Sequence, residues 1–131
     1  MTLSKALIVV HALEGVRQSI TFFAGNCTKQ VSDSSQAGGM DLFVYERLLR
    51  GLEVLRGCDA EFLYDASLLT ALWNFANDVQ SLYESCSGDT DAEVLRFPRW
   101  DQVRETASRL LLALPPELSE DDVQNKFRLR T

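Results

Sequence analysis

Apolar residues at Leu3, Leu7, Val10, Leu13, Val16, Ile20 and Phe23 recur every three or four positions, the spacing that lines one face of an α-helix. The pattern predicts a first helix from Leu3 to Ala24, with Thr2 as N-cap and Gly25-Asn26 as a left-handed stop. The run Ala6 to Val10 alone also fits a strand, but the helical step continues well past it, which favours helix. From Asn26 to Met40 the apolar step disappears into Ser, Gly, Asp, Gln and Lys. Residues 26–40 therefore read as a long mobile loop.

The step resumes at Leu42, Tyr45, Leu48, Leu52 and Leu55, predicting a second helix from an Asp41 cap to Arg56 with Gly57 as its stop. Gly51 in mid-helix costs about 1 kcal/mol relative to Ala, so it marks a place where another helix comes close. A third helix is predicted from Asp59 to Cys86. It carries two adjoining apolar rows, Phe62-Ala66-Leu69-Trp73-Ala76 and Leu68-Leu72-Phe75-Val79-Leu82, and so reads as the central helix. Thr90 to Glu93 has capping-box spacing and opens a short helix to Arg96. Pro98 begins a fourth main helix, with Trp100, Val103, Ala107, Leu110, Leu111 and Leu114 inward, until Pro115-Pro116 ends it. Ser119 and Asp122 form a second capping box, stapled by Leu118 and Val123, for a last short helix. The expectation is one all-α domain over 1–131, a compact antiparallel bundle of four main helices plus one or two short ones.

At 131 residues, 46% hydrophobic and 24% charged, the chain is long enough for one ordinary core, and wholesale disorder is excluded. His11, Glu14 and Arg17 interrupt the first apolar segment, which argues against both a signal peptide and a membrane span. Three widely spaced cysteines, Cys27, Cys58 and Cys86, make no disulfide framework and suit the reducing cytoplasm. The net charge of −6 disfavours direct nucleic-acid binding. That charge is concentrated: between Asp59 and Asp122 there are fourteen acids against four arginines. A basic protein surface is the partner such a region favours.

Chemistry-bearing patterns are sparse. His11 is the only histidine and falls off the apolar row. The alternation Asp89-x-Asp91-x-Glu93 lacks the Gly and Glu an EF-hand needs at its sixth and twelfth positions, where Val94 and Trp100 stand. No Glu-x-x-His pair supports a di-metal bundle, and neither metal nor cofactor is expected. The aromatics Phe62, Trp73, Phe75, Tyr83, Phe97 and Trp100 fit core rows, whereas Tyr64 lies off both rows and is expected at the surface. Cys58 has no neighbouring cation to activate it.

What remains is the acids. Several act as caps, and the rest, Asp89, Asp91, Glu93, Glu117, Glu120 and Asp121, are either ordinary solvated side chains or a partner-binding face along one side of the bundle. The first functional reading is a small cytoplasmic protein, not an enzyme, that neutralises a larger basic partner such as a nuclease, toxin or nucleoprotein complex. Immunity proteins, antitoxins and phage-encoded (anti-CRISPR-type) inhibitors work in this manner. The alternatives are a self-associating structural bundle, with the third helix completing its core in a homodimer, and an enzyme with an unrecognised site at His11 or Cys58.

Overall fold

Ser4 opens the first helix, its Oγ accepting the Leu7 N–H at 3.0 Å and satisfying a donor that a helix start leaves orphaned. In the computed structural model, which describes residues 4–86 and 88–130, α1 spans Lys5–Ala24. Leu3 and the expected Thr2 cap lie outside the described residues. The chain then does not turn left-handed. Gly25 (φ −70°) and Asn26 (φ −74°) are extended, and Asn26 Oδ1 accepts the Lys29 N–H at 2.8 Å. The stop of α1 is thus the cap of a second helix, α2 (Cys27–Ala37), where the sequence suggested a mobile loop.

The reason is that α2 docks through polar atoms. Gln30, 1% exposed, donates from Nε2 to the Phe22 and Phe23 carbonyls at 3.1 and 3.0 Å, satisfying the Phe23 acceptor that the end of α1 leaves open and adding to the Gly25 N–H at Phe22. Its Oε1 accepts Arg104 Nε at 2.9 Å. Arg104 also donates to the Leu95 carbonyl and to Asp101 Oδ1, joining α2 to two later helices. Gly38 (φ 93°) closes α2 in the left-handed region.

Next comes a π-helix, Leu42–Leu49, continuous with α3 (Arg50–Gly57). Asp41 is helical and caps nothing, contrary to expectation. The wider π register buries Phe43 and Leu48, five apart, together with Val44, and leaves Leu42 and Tyr45 half-exposed. Phe43 stacks on Phe22 with centroids 3.9 Å apart, and its carbonyl accepts the buried Ser19 Oγ at 2.8 Å. Gly51 does mark a close approach. A Cβ there would stand 3.0 Å from Val16 Cγ2 and 3.1 Å from the Ala12 carbonyl.

The predicted third helix is two elements. Asp59 is left-handed (φ 54°), a 3₁₀ turn covers Glu61–Leu63, and α4 (Ala66–Ser85) starts only after Asp65, whose Oδ1 accepts the Leu68 N–H at 2.8 Å. Tyr64, expected outside, is 5% exposed. α5 (Asp91–Arg96) begins at Thr90 as anticipated, and α6 (Trp100–Ala113) buries Trp100, Val103, Ala107 and Leu110. α7 (Glu120–Arg130) carries the reciprocal box: Asp122 N–H to Ser119 Oγ at 3.1 Å and Ser119 N–H to Asp122 Oδ2 at 2.9 Å.

The described residues contain seven α-helices, the π-helix and the 3₁₀ turn, and no strand, so the fold is all-α. The centre is α1 and not α4. α1 packs against α6, the π-helix, α3 and α7, with Val9, Val16, Ile20 and Phe23 fully buried. Its small residues Ala12, Gly15 and Ser19 let these neighbours approach. By length and composition α1 is also able to cross a membrane, so His11, Glu14 and Arg17 do not lower its apolarity as far as the sequence suggested. Its apolar side lies in the core, while Lys5, His11, Glu14, Gln18 and Thr21 face outward.

Candidate functional site

Two tyrosines join the π-helix to the end of α4. Tyr45 OH donates to Glu84 Oε1 at 2.8 Å, and Tyr83 OH donates to Asp41 Oδ1 at 2.5 Å, so each element offers one hydroxyl and one carboxylate to the other. The two rings meet edge to face at 6.1 Å, and Gln80 Nε2 adds a second donor to Glu84 at 3.1 Å. With Cys86, Gly88, Asp89 and Val94 these residues line an open depression of about 300 Å³. At its edge Asp91 Oδ2 accepts the Met40 N–H at 2.8 Å, tying the start of α5 to the turn before the π-helix. Glu93 is exposed on the same short helix.

The electrostatics are one-sided. Removal from water pushes Tyr45 up to about 12, aided by the hydrogen bond and charge of Glu84 and by Asp41. Tyr83 is raised further, first by burial, then by its bond to Asp41 and the charges of Asp91 and Asp41. Glu84 is held below its ordinary value, chiefly by the Tyr45 hydroxyl and then by Gln80. The ion pairs among the described residues, Arg56–Glu61, Arg104–Asp101 and Arg109–Glu105, involve none of these acids. The surface therefore presents fixed aromatic rings ringed by acceptors, a chemistry suited to Lys and Arg side chains.

The other sequence-derived acids stand elsewhere. Glu120 Oε1 accepts the Ser4 hydroxyl at 2.6 Å, at the start of α1. Glu117 is exposed on the linker before α7, and Asp121 is exposed in its first turn. Asp91 lies beside Met40, just before the π-helix that packs on Ser19 of α1. Glu120 is thus separated from Asp91 by most of the length of α1, roughly 20 Å, while Glu117 stands beside its middle, near Leu13 and Arg17. Asp89 lines the depression with Asp41, Tyr45, Tyr83 and Glu84 and Asp91 stands at its edge, Glu93 follows exposed on α5, and Glu117, Glu120 and Asp121 do not join them.

Sequence reasoning missed Asp41, Tyr45, Tyr83 and Glu84 as a group because it assigned both tyrosines to core rows. The available signal was the phenol itself, whose buried ring keeps a hydroxyl in need of a partner. His11 is exposed in a shallow groove between α1 and α3, over Gly15 and Gly51, with Arg47 and Arg50 on its far side. Cys58 is half-buried, and Cys27 donates weakly to the Leu95 carbonyl at 3.4 Å. No group of three or more His, Cys, Asp or Glu side chains among the described residues is placed to hold a metal ion. Compared with known protein families, curated proteins and solved structures, the chain matches none.

Proposed function

We propose that the protein is a small acidic helical binding module that occupies and neutralises a larger partner with a basic surface, such as a nuclease, toxin or nucleoprotein complex, in the cytoplasm. The reading takes the four longest helical stretches, α1, the π-helix with α3, α4 and α6, as an antiparallel bundle that presents the acidic face. The observation that carries it is the crossed Tyr45–Glu84 and Tyr83–Asp41 arrangement, with Asp89 lining the same depression and no cation paired to it among the described residues. Pre-positioned tyrosines are the kind of anchor that dominates interfaces, and surrounding carboxylates accelerate encounter with a cationic surface. Self-association through α4 is less favoured, because α4 turns Ser67, Thr70, Asn74, Asn77, Asp78 and Ser81 to solvent and keeps Leu68, Leu72, Phe75, Val79 and Leu82 inside.

Affinity capture from the native host, followed by binding measurements with the captured protein, tests this. Asp89→Lys with Glu93→Lys should slow association by about tenfold or more at low salt, with the difference shrinking as salt is added. Arg47→Glu with Arg50→Glu should leave it unchanged. Asp91 is spared because it holds the Met40 N–H and its loss would disturb the fold. Unaltered association by the double lysine variant would sink the proposal.

A further inference from the structure

Between α1, the 3₁₀ turn and the linker 114–118 lies a partly enclosed cavity of about 60 Å³. Leu13, Leu63, Leu114, Pro116 and Leu118 make its walls apolar. Two polar groups lining it have donors to spare. Tyr64 is 5% exposed, yet its hydroxyl has no hydrogen-bond partner among the described residues. Arg17 is half-buried, donates to the Pro115 carbonyl, and forms no ion pair among the described residues. Most of its five guanidinium donors therefore have no protein acceptor. The Arg17 charge is near enough to Tyr64 to offset part of the upward push that burial gives the phenol. The Tyr64 hydroxyl is not sealed off, since Trp100 Nε1 is the buried side-chain donor without a partner among the described residues; with Arg17 the tyrosine lines the cavity, and one acceptor placed between them would satisfy both.

We propose that this cavity binds the carboxylate end of a short aliphatic ligand, with Arg17 and Tyr64 donating to the carboxylate and the leucine and proline walls enclosing the carbon chain. One probe sphere of space, about 12 Å³, holds one water-sized atom, so the enclosed part takes roughly five heavy atoms: the carboxylate and its first carbons. The rest of a longer chain leaves through the open side. Glu14 and Glu117 line the same cavity but are exposed to water. Arg17 offsets their repulsion of the first carboxylate by pairing with it, while a second carboxylate reaching the mouth has no cation to meet and only like charge, which selects monocarboxylates. The ligand is either a free short-chain acid or the C-terminus of a peptide. The cavity shares no lining residue with the acid–tyrosine depression, so failure of either reading leaves the other standing.

Amide chemical shifts of the isotopically labelled full chain, titrated with butyrate, succinate, butylammonium and the tripeptide Ala-Val-Val as free acid and as amide, provide the measurement. Butyrate should move the resonances of Leu13, Arg17, Tyr64 and Leu118, succinate should bind more weakly, and butylammonium should not bind there. Tyr64→Phe removes only the unpartnered hydroxyl, so the thermal midpoint should hold while the butyrate Kd rises about tenfold. Tighter binding of the peptide acid than of butyrate, with the amide inactive, assigns a chain terminus, and binding of butyrate alone assigns a free acid. The proposal is overturned if neither acid shifts these resonances at roughly tens of millimolar, if butylammonium binds as well as butyrate, or if Tyr64→Phe binds with unchanged affinity.

Discussion

Gly51 shows how one missing methyl group sets the distance between helices. Alanine is the better helix former by about 1 kcal/mol, yet its Cβ would press on Val16 Cγ2 at 3.0 Å and on the Ala12 carbonyl at 3.1 Å. Overpacking of that kind costs about 1–3 kcal/mol, so Gly51→Ala should lower the free energy of urea unfolding. Gly57 ends the same helix with open space around the position of a Cβ. There Gly57→Ala should stabilise by about 0.5–1 kcal/mol, because only the propensity difference operates. Opposite signs for the two substitutions are the expected result. Equal signs would mean that the crossing of α1 and α3 is looser than described.

At the scale of elements, α2 is the informative case, being a helix with almost no apolar face. It is held by Gln30, whose three hydrogen bonds reach the end of α1 and Arg104. Gln30→Leu preserves volume but strands the Phe23 carbonyl and a guanidinium N–H, the Phe22 carbonyl keeping the Gly25 N–H, and should destabilise by about 1–3 kcal/mol. Hydrogen exchange should show residues 27–37 losing protection before the rest of the chain. The same element explains what the sequence could convey. Helices held by apolar residues at helical spacing, α1, α4, α5, α6 and α7, were legible, with the caps at Thr90 and Ser119 and the close approach at Gly51. Elements held by polar docking or by a change of register were not. Nothing local distinguishes Gln30 from a solvated glutamine, and the π-helix moves the buried row from Leu42 and Tyr45 to Phe43 and Val44. The acid–tyrosine depression was half legible for the same reason: Asp89, Asp91 and Glu93 are adjacent in sequence, whereas their companions Asp41 and Tyr45 arrive only through tertiary packing.

For the whole molecule, the titrating groups set a pH window. All three tyrosines are raised by burial above the ordinary value of 10.0. A phenol that holds its proton more tightly when folded contributes stability fully present below pH 10 and lost as pH rises through its folded value, about 12 for Tyr45. Glu84 and Asp122, held below 4.5 and 3.8, contribute stability that is present above those values and lost as pH falls through their folded ones. The unfolding midpoint should therefore form a plateau across neutral pH and decline in strong alkali, and Tyr45→Phe should flatten part of that alkaline decline. An alkaline limb identical in Tyr45→Phe would refute the assignment.

The position of α1 bears on how the chain is made. The central helix is synthesised before any other described element, yet part of what covers it comes from far along the sequence: Ser4 bonds Glu120 across 116 residues, and Arg17 holds the Pro115 carbonyl. As the polypeptide emerges from the ribosome, the apolar side of α1 gains its first native cover from the π-helix and α3, and the rest only when α6 and α7 have been translated. The nascent chain therefore carries a half-covered greasy helix until then, and the fold is completed late.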